Sequence, residues 1–251
     1  MRPRAAGHRL VVAIAALAVL WGMLTACGHS RTTNSGDLSL TTNSPAGPIV
    51  WPAPMEPIGT GMQMVTPNCT TQPTAAQQHA AVTLINSTVV GTQRYKSLGA
   101  AKADGYVPVT PTGLAVVHYI RAAYVNDSRT LDPGAIESLV YANTSRGAVL
   151  VAAMYTLAWD QVGQMPPMPG GCLTQWHTHT NLCFSDATGA VVASTRKGPC
   201  RPGSTNRVTQ PMIHVWLVPV PGGPLTVDDS DTQVVQAAEQ VSPPVPLNTM
   251  A

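Results

Sequence analysis

Charge is what this chain has least of. Asp, Glu, Lys and Arg together make up 10% of its 251 residues, against roughly a quarter in an average soluble domain. Disorder driven by charge excess is excluded, because it needs high net charge with little apolar material, and 44% of this chain is hydrophobic. Aromatic residues are also few, with a single Phe, 6 Tyr and 5 Trp, so a large aromatic-lined ligand pocket is not expected. Unbroken helical periodicity is missing: 21 Gly and 23 Pro interrupt the chain too often for a coiled coil. The motifs G-x-S-x-G, H-E-x-x-H, the P-loop and G-x-G-x-x-G are all absent, and nothing marks a nucleophile.

What is present begins with Arg2, Arg4 and Arg9, followed by 14 uncharged residues from Leu10 to Met23. That run is shorter than the ~20 residues of a membrane-spanning helix and fits the apolar region of a signal peptide. Leu24-Thr25-Ala26-Cys27 then resembles the lipobox of bacterial lipoproteins. The resemblance implies that residues 1–26 are removed, that Cys27 is lipidated, and that the protein is held outside the cytoplasm on the cell membrane by its lipid. Loss of the three arginines lowers the 14 basic residues to 11 against 12 acidic ones, a net charge of −1 instead of +2. With no Lys/Arg cluster either, no nucleic-acid partner is expected.

Four further cysteines, Cys69, Cys172, Cys183 and Cys200, form an even set, which outside the cytoplasm favours two disulfides. Cys183–Cys200 would close a hairpin, leaving Cys69–Cys172 to staple the start of the domain to the sheet. Cys172–Cys183 becomes feasible if the segment between them turns, and a four-thiolate zinc site is the alternative, although no C-x-x-C pair is present.

Composition divides the mature chain into three parts. Residues 27–68 are rich in Ser, Thr, Asn, Gly and Pro and read as a tether. Residues 69–225 form the globular domain, and 226–251 read as an acidic, Pro-rich tail with at most a short helix near Val234–Val241. Within the domain, Thr74 caps a helix over Ala75–Val90, with Val82, Ile85 and Val89 at helical spacing, and a second helix over Tyr95–Ala103 stops at Asp104-Gly105. Strands are predicted at Ala115–Ile120, Ser138–Ala142, Ala148–Leu157, Leu173–Phe184, Ala190–Ser194 and Met212–Val220. Helices first and strands after imply an α+β fold with a mainly antiparallel sheet, curled toward a barrel.

Four histidines fall on those strands: His118, His177, His179 and His214. Side chains alternate along a strand, so His177 and His179 share a face. If the strands neighbour one another, three or four imidazoles converge, a set that suits zinc or copper. A lone strand histidine is more often a hydrogen-bonded core or surface residue than a ligand; the His-x-His pair, with two more strand histidines in a domain so poor in charge, favours a site. Glu137, one of the domain's few acids, fits a carboxylate ligand, a partner to an imidazole or a general base, and equally a solvated turn residue. Met62, Met64, Met165, Met168 and Met212 raise the prospect of Cu(I), which thioethers select, although their spacing is too sparse for a dedicated Met-rich tract.

Tyr95, Ala103-Asp104-Gly105-Tyr106, His118-Tyr119, Leu131-Asp132-Pro133, Glu137-Ser138-Leu139-Val140-Tyr141 and His214-Val215-Trp216-Leu217 resemble an uncharacterised family of secreted and lipid-anchored actinobacterial proteins. The likeness spans about residues 75–220 and implies a secreted globular domain with these elements, without naming a reaction. Gly134-Ala135-Ile136 intervenes between Pro133 and Glu137, a departure from the family's pattern that loosens any role carried onto Glu137. Two functions follow as expectations. One is a cell-envelope lipoprotein binding a transition metal through His177, His179 and His214, with His118 or Glu137 completing the site. The other is a metal-free structural or binding module of the envelope in which these imidazoles only pack.

Overall fold

The computed structural model describes residues 61–65, 71–227 and 230–241. Cys27, the signal-peptide segment, Cys69 and most of the expected tether lie outside the described residues.

Helix α1 (Ala75–Thr92) starts where Thr74 and Gln77 cap each other: the Gln77 amide donates to Thr74 Oγ1 and the Thr74 amide to Gln77 Oε1. Its buried stripe is Ala81, Leu84, Ile85 and Thr88. Gly91 near its end is a requirement of close approach, since a Cβ there would lie 2.3 Å from the Pro133 carbonyl oxygen. The second predicted helix divides at Ser97 into a 3-10 turn, Gln93–Lys96, and α2 (Leu98–Ala103), with Ser97 Oγ accepting from the Ala100 amide.

The remaining chain is mainly sheet. Strands β1 (Met62–Met64), β2 (Val107–Pro108), β3 (Val116–Ile120), β4 (Ser138–Thr144), β5 (Gly147–Thr156), β6 (His177–His179) and β10 (Met212–Trp216) form an antiparallel seven-stranded sheet in the order β1-β6-β10-β5-β4-β3-β2. It curls into a half-barrel, and the α+β class with a largely antiparallel sheet is as the sequence predicts. A four-residue helix, α3 (Ala122–Val125), follows β3. Strands β7 (Leu182–Ser185), β8 (Val191–Ser194) and β9 (Ser204–Arg207) make a separate three-stranded sheet.

Three differences from expectation have physical reasons. The single strand predicted over Leu173–Phe184 is broken at Thr180-Asn181, where the chain leaves the large sheet for the small one. The tether's last part contains β1, three residues held by pairing to β6 rather than by any propensity of their own. The expected tail contains α4 (Asp231–Gln240), which buries Val234, Ala237 and Ala238 against β4 and β5 and fastens its end through Glu239, which accepts from Ser145 N at 2.7 Å and Oγ at 3.0 Å.

The sheet buries both faces. One packs Val117, Tyr119, Leu139, Tyr141, Tyr155 and Ile213 against α1 and α2. The other packs Val116, Val140, Ala142, Ala152, Met154 and Trp216 with α4. Cys183 and Cys200 are joined, Cα to Cα 5.5 Å, which leaves neither sulfur for a four-thiolate zinc site or a Cys172–Cys183 pair. Cys172 is itself disulfide-bonded. Among the described residues no helix is long and apolar enough to cross a membrane.

The bridge spans a sequence separation of 17 residues, so its loss releases a modest loop to the unfolded chain. Cys183→Ser with Cys200→Ser is expected to lower unfolding free energy by about 3 kcal/mol, read as a shifted urea midpoint. Gly91→Ala is expected to destabilise by roughly 1–3 kcal/mol, because the helix must move away from Pro133.

Candidate functional site

Strand register assembles the site. Opposed residues on neighbouring strands share a face. On the β1–β6–β10 side, Met64 and Met212 both oppose His177, and Met62 opposes His179. Further along, His214 opposes Met154, which opposes Ser138, while His118 opposes Val140 one step away on that same face. All four strand histidines therefore lie on the face that α4 covers at its other end. Trp216 joins the two halves, buried with the α4 cluster and stacked on His214 at 5.2 Å between ring centroids.

Curvature does the rest. β3 and β10 are three strands apart, about 14 Å on a flat sheet. Yet the His118 and His214 rings stand 5.9 Å apart, so the sheet closes toward the histidine face. His214 lies 5.4 Å from His177, and His177 lies 5.4 Å from His179. Imidazoles sharing one tetrahedral metal at ~2 Å from each nitrogen have ring centroids about 5 Å apart, close to these separations. Among the described residues, however, no three His, Cys, Asp or Glu side chains have donor atoms already grouped around a common point. The proximity is one of rings. Rotation about χ2, a soft torsion for His, is what would turn nitrogens inward.

Burial and hydrogen bonding single out two of the four. His177 and His214 are inaccessible to solvent, at 0% and 2%, while His118 and His179 are half-buried at the rim. His177 Nδ1 reaches the Gln175 carbonyl at a long 3.4 Å, and its Nε2 has no partner; nor has His214 Nδ1. Ser138 Oγ and Thr156 Oγ1 are likewise buried and unpartnered, and register places both on this face, Ser138 opposite Met154 and Thr156 opposite Met212. Of the five such atoms among the described residues, only Glu137 Oε2 lies elsewhere. Each orphan costs on the order of 1–3 kcal/mol, and a cluster of them in one place is what a polar or metallic ligand would relieve.

All four imidazoles are held neutral. Burial lowers His118 to about 4, with His179 adding to the effect, and lowers His177 to about 3, with His179 and His118 adding. His179 falls to about 4 through burial and the nearby Arg196, opposed by Asn181, and burial among the other three takes His214 well below its ordinary value. Neutral imidazole is the ligating form. Backbone anchors fix the rim: the His118 amide donates to Thr110 Oγ1 and the His179 amide to Thr209 Oγ1. Asn181, with its amide turned to suit its neighbours, donates to the Gly61 carbonyl at 2.9 Å and accepts from Ser194 Oγ and Arg196 Nε. Gly61 has φ +105°, and a Cβ there would stand 2.3 Å from Asn181 Cγ, so a glycine lets β1 seat Met62 beside His179.

Glu137 is not brought to this cluster. It sits one residue before Ser138, hence on the opposite face, where it lies near Tyr155 and is 1% exposed. It is not among the groups that act on the four imidazoles. Met168 packs in the core of that same opposite face and Met165 is 69% exposed. Met154, Ser138 and Thr156 join the histidines on this face although no motif marks them in the sequence. Their signal is visible only in register, since each lies opposite a site residue on the next strand.

No family profile, curated protein or solved structure matches the chain.

Burial raises the Glu137 carboxyl to about 8, against 4.5 for the free side chain. The folded state thus keeps a proton that the unfolded chain releases, so stability falls as pH rises from about 4.5 to about 8. Glu137→Gln is expected to flatten that slope and to gain most over wild type near pH 8, as measured by denaturation midpoints across pH 5–9.

Proposed function

We propose that this chain is an extracytoplasmic lipoprotein, anchored through Cys27, whose curled sheet binds a transition metal. His177, His179 and His214 would be the ligands, with His118 completing the set; zinc and copper are the metals this donor type suits. The observation that carries the reading is the convergence of four neutral imidazoles on one concave face, with His177 Nε2 and His214 Nδ1 buried and unpartnered. Glu137, on the other face, takes no part, and the influences on the four imidazoles are burial, one another, Gln175, Asn181 and Arg196 rather than any carboxylate. That donor set favours holding a metal over activating water with a protein base. The resemblance to secreted and lipid-anchored proteins supports the same compartment.

The second reading is a metal-free envelope module, favoured by the donor atoms not being pre-grouped and by the stacking of His214 on both His177 and Trp216. Metal analysis of the purified chain after reconstitution separates the two. The metal reading expects about one ion per chain, lost when His177→Ala and His179→Ala are combined. The module reading expects no stoichiometric metal and a change only in stability. For the anchor, Cys27→Ser is expected to move the protein from the detergent phase to the aqueous phase.

A further inference from the structure

We propose that the metal taken by this face is monovalent copper, held jointly by imidazole and thioether; this rests on the metal-binding reading above. The face that gathers the four histidines also gathers four methionines, set opposite three of those histidines. Met62 opposes His179, Met64 and Met212 flank His177 on its two sides, and Met154 opposes His214. Opposed side chains on adjacent strands start about 4.5–5.5 Å apart at Cβ, within reach of a common ion for a side chain as long and flexible as Met.

Met154 and Met212, at 6% and 7% exposure, also serve the apolar cluster beneath Trp216, and packing alone would account for them. It does not account for β1. That strand alternates half-buried Met62, exposed Gln63 and half-buried Met64 on the outermost position of the sheet, where a β-branched residue has the higher strand propensity. Both inward positions of a three-residue strand carry thioethers, and Gly61 and Asn181 hold that strand in register.

The chemistry then discriminates between metals. Imidazole accepts zinc and copper alike, whereas thioether sulfur is a soft, uncharged donor that selects Cu(I). Imidazole and thioether both ligate as uncharged donors, so this donor set carries no negative charge with which to favour a hard divalent ion. Cys183 is tied to Cys200, and Cys172 is disulfide-bonded, so among the described residues the soft donors on this face are thioethers. A monovalent ion also brings less charge into a buried, low-polarity site.

The test uses the purified full chain, with bicinchoninate as competitor for Cu(I) under anaerobic ascorbate, which leaves disulfides intact, and a chromophoric chelator as competitor for Zn(II). Met62→Leu, Met64→Leu and Met212→Leu conserve volume. Together they are expected to weaken Cu(I) binding about tenfold or more while Zn(II) binding is unchanged, and copper K-edge absorption of the wild type is expected to show sulfur in the first shell. If the triple variant folds poorly, Met62→Leu and Met64→Leu, both at half-buried positions, replace it with the same expectation in smaller measure. Unchanged Cu(I) affinity in the Met variants, or a first shell without sulfur, overturns the copper assignment while leaving a metal site standing. Binding of neither Cu(I) nor Zn(II) by the wild type overturns both.

Discussion

Everything in this domain depends on the seven-stranded sheet having to bury two faces with very little material outside itself. One face is covered by α1 and α2 and closes over tyrosines whose hydroxyls find partners, Tyr106 on the Ile136 carbonyl, Tyr141 on the Tyr95 carbonyl and Tyr155 on Thr88. Among the described residues the other is covered by the ten residues of α4. A helix of that length covers about 15 Å, part of the face and no more. The uncovered part curls on itself, and the side chains it encloses are imidazoles and thioethers rather than branched aliphatics. Curvature, coverage and the histidine cluster are thus one constraint seen from three sides.

That constraint explains the contrast in polar satisfaction. Tyr106, Tyr141 and Tyr155 on the helix-covered face are paired, and burial, by raising their pKa, keeps them un-ionised, which costs nothing at neutral pH. On the curled face, four buried polar atoms go without partners. Native interiors pair the large majority of such groups, so the gathering of four of the five exceptions among the described residues on one face, the fifth being Glu137 Oε2 on the other, marks where stability has been given up for something else.

Most of the fold was legible in the sequence because alternation and capping are local. Thr74 with Gln77, the Asp104-Gly105 stop, and the runs around Val117, Leu139, Tyr155 and Ile213 each announce their element within a few residues. The pairing of His177 with His179 was equally legible, since a period of two needs no tertiary knowledge. The approach of His118 to His214 was not: it crosses three strands and depends on curl, which no window of sequence carries. Glu137 illustrates the same boundary. Whether it faces the histidines turns on one residue of register, and only the ladder that opposes Ser138 to Met154 fixes that parity. β9, with the polar sequence Ser204–Arg207, has no apolar pattern, and the alternation of β1 inside a Pro-rich stretch is three residues long, too short to be read; both exist because a neighbour offers hydrogen bonds.

The outermost strands of the large sheet are three residues long on one side and two on the other, and the second contains Pro108. A wide sheet normally presents two rows of unpaired backbone groups on which another chain can grow. Among the described residues β1 offers three residues in a row, and the proline in β2 lacks the amide hydrogen that a ladder needs. Copies of the domain meeting at these edges would find no long run of free backbone groups among the described residues on which to pair.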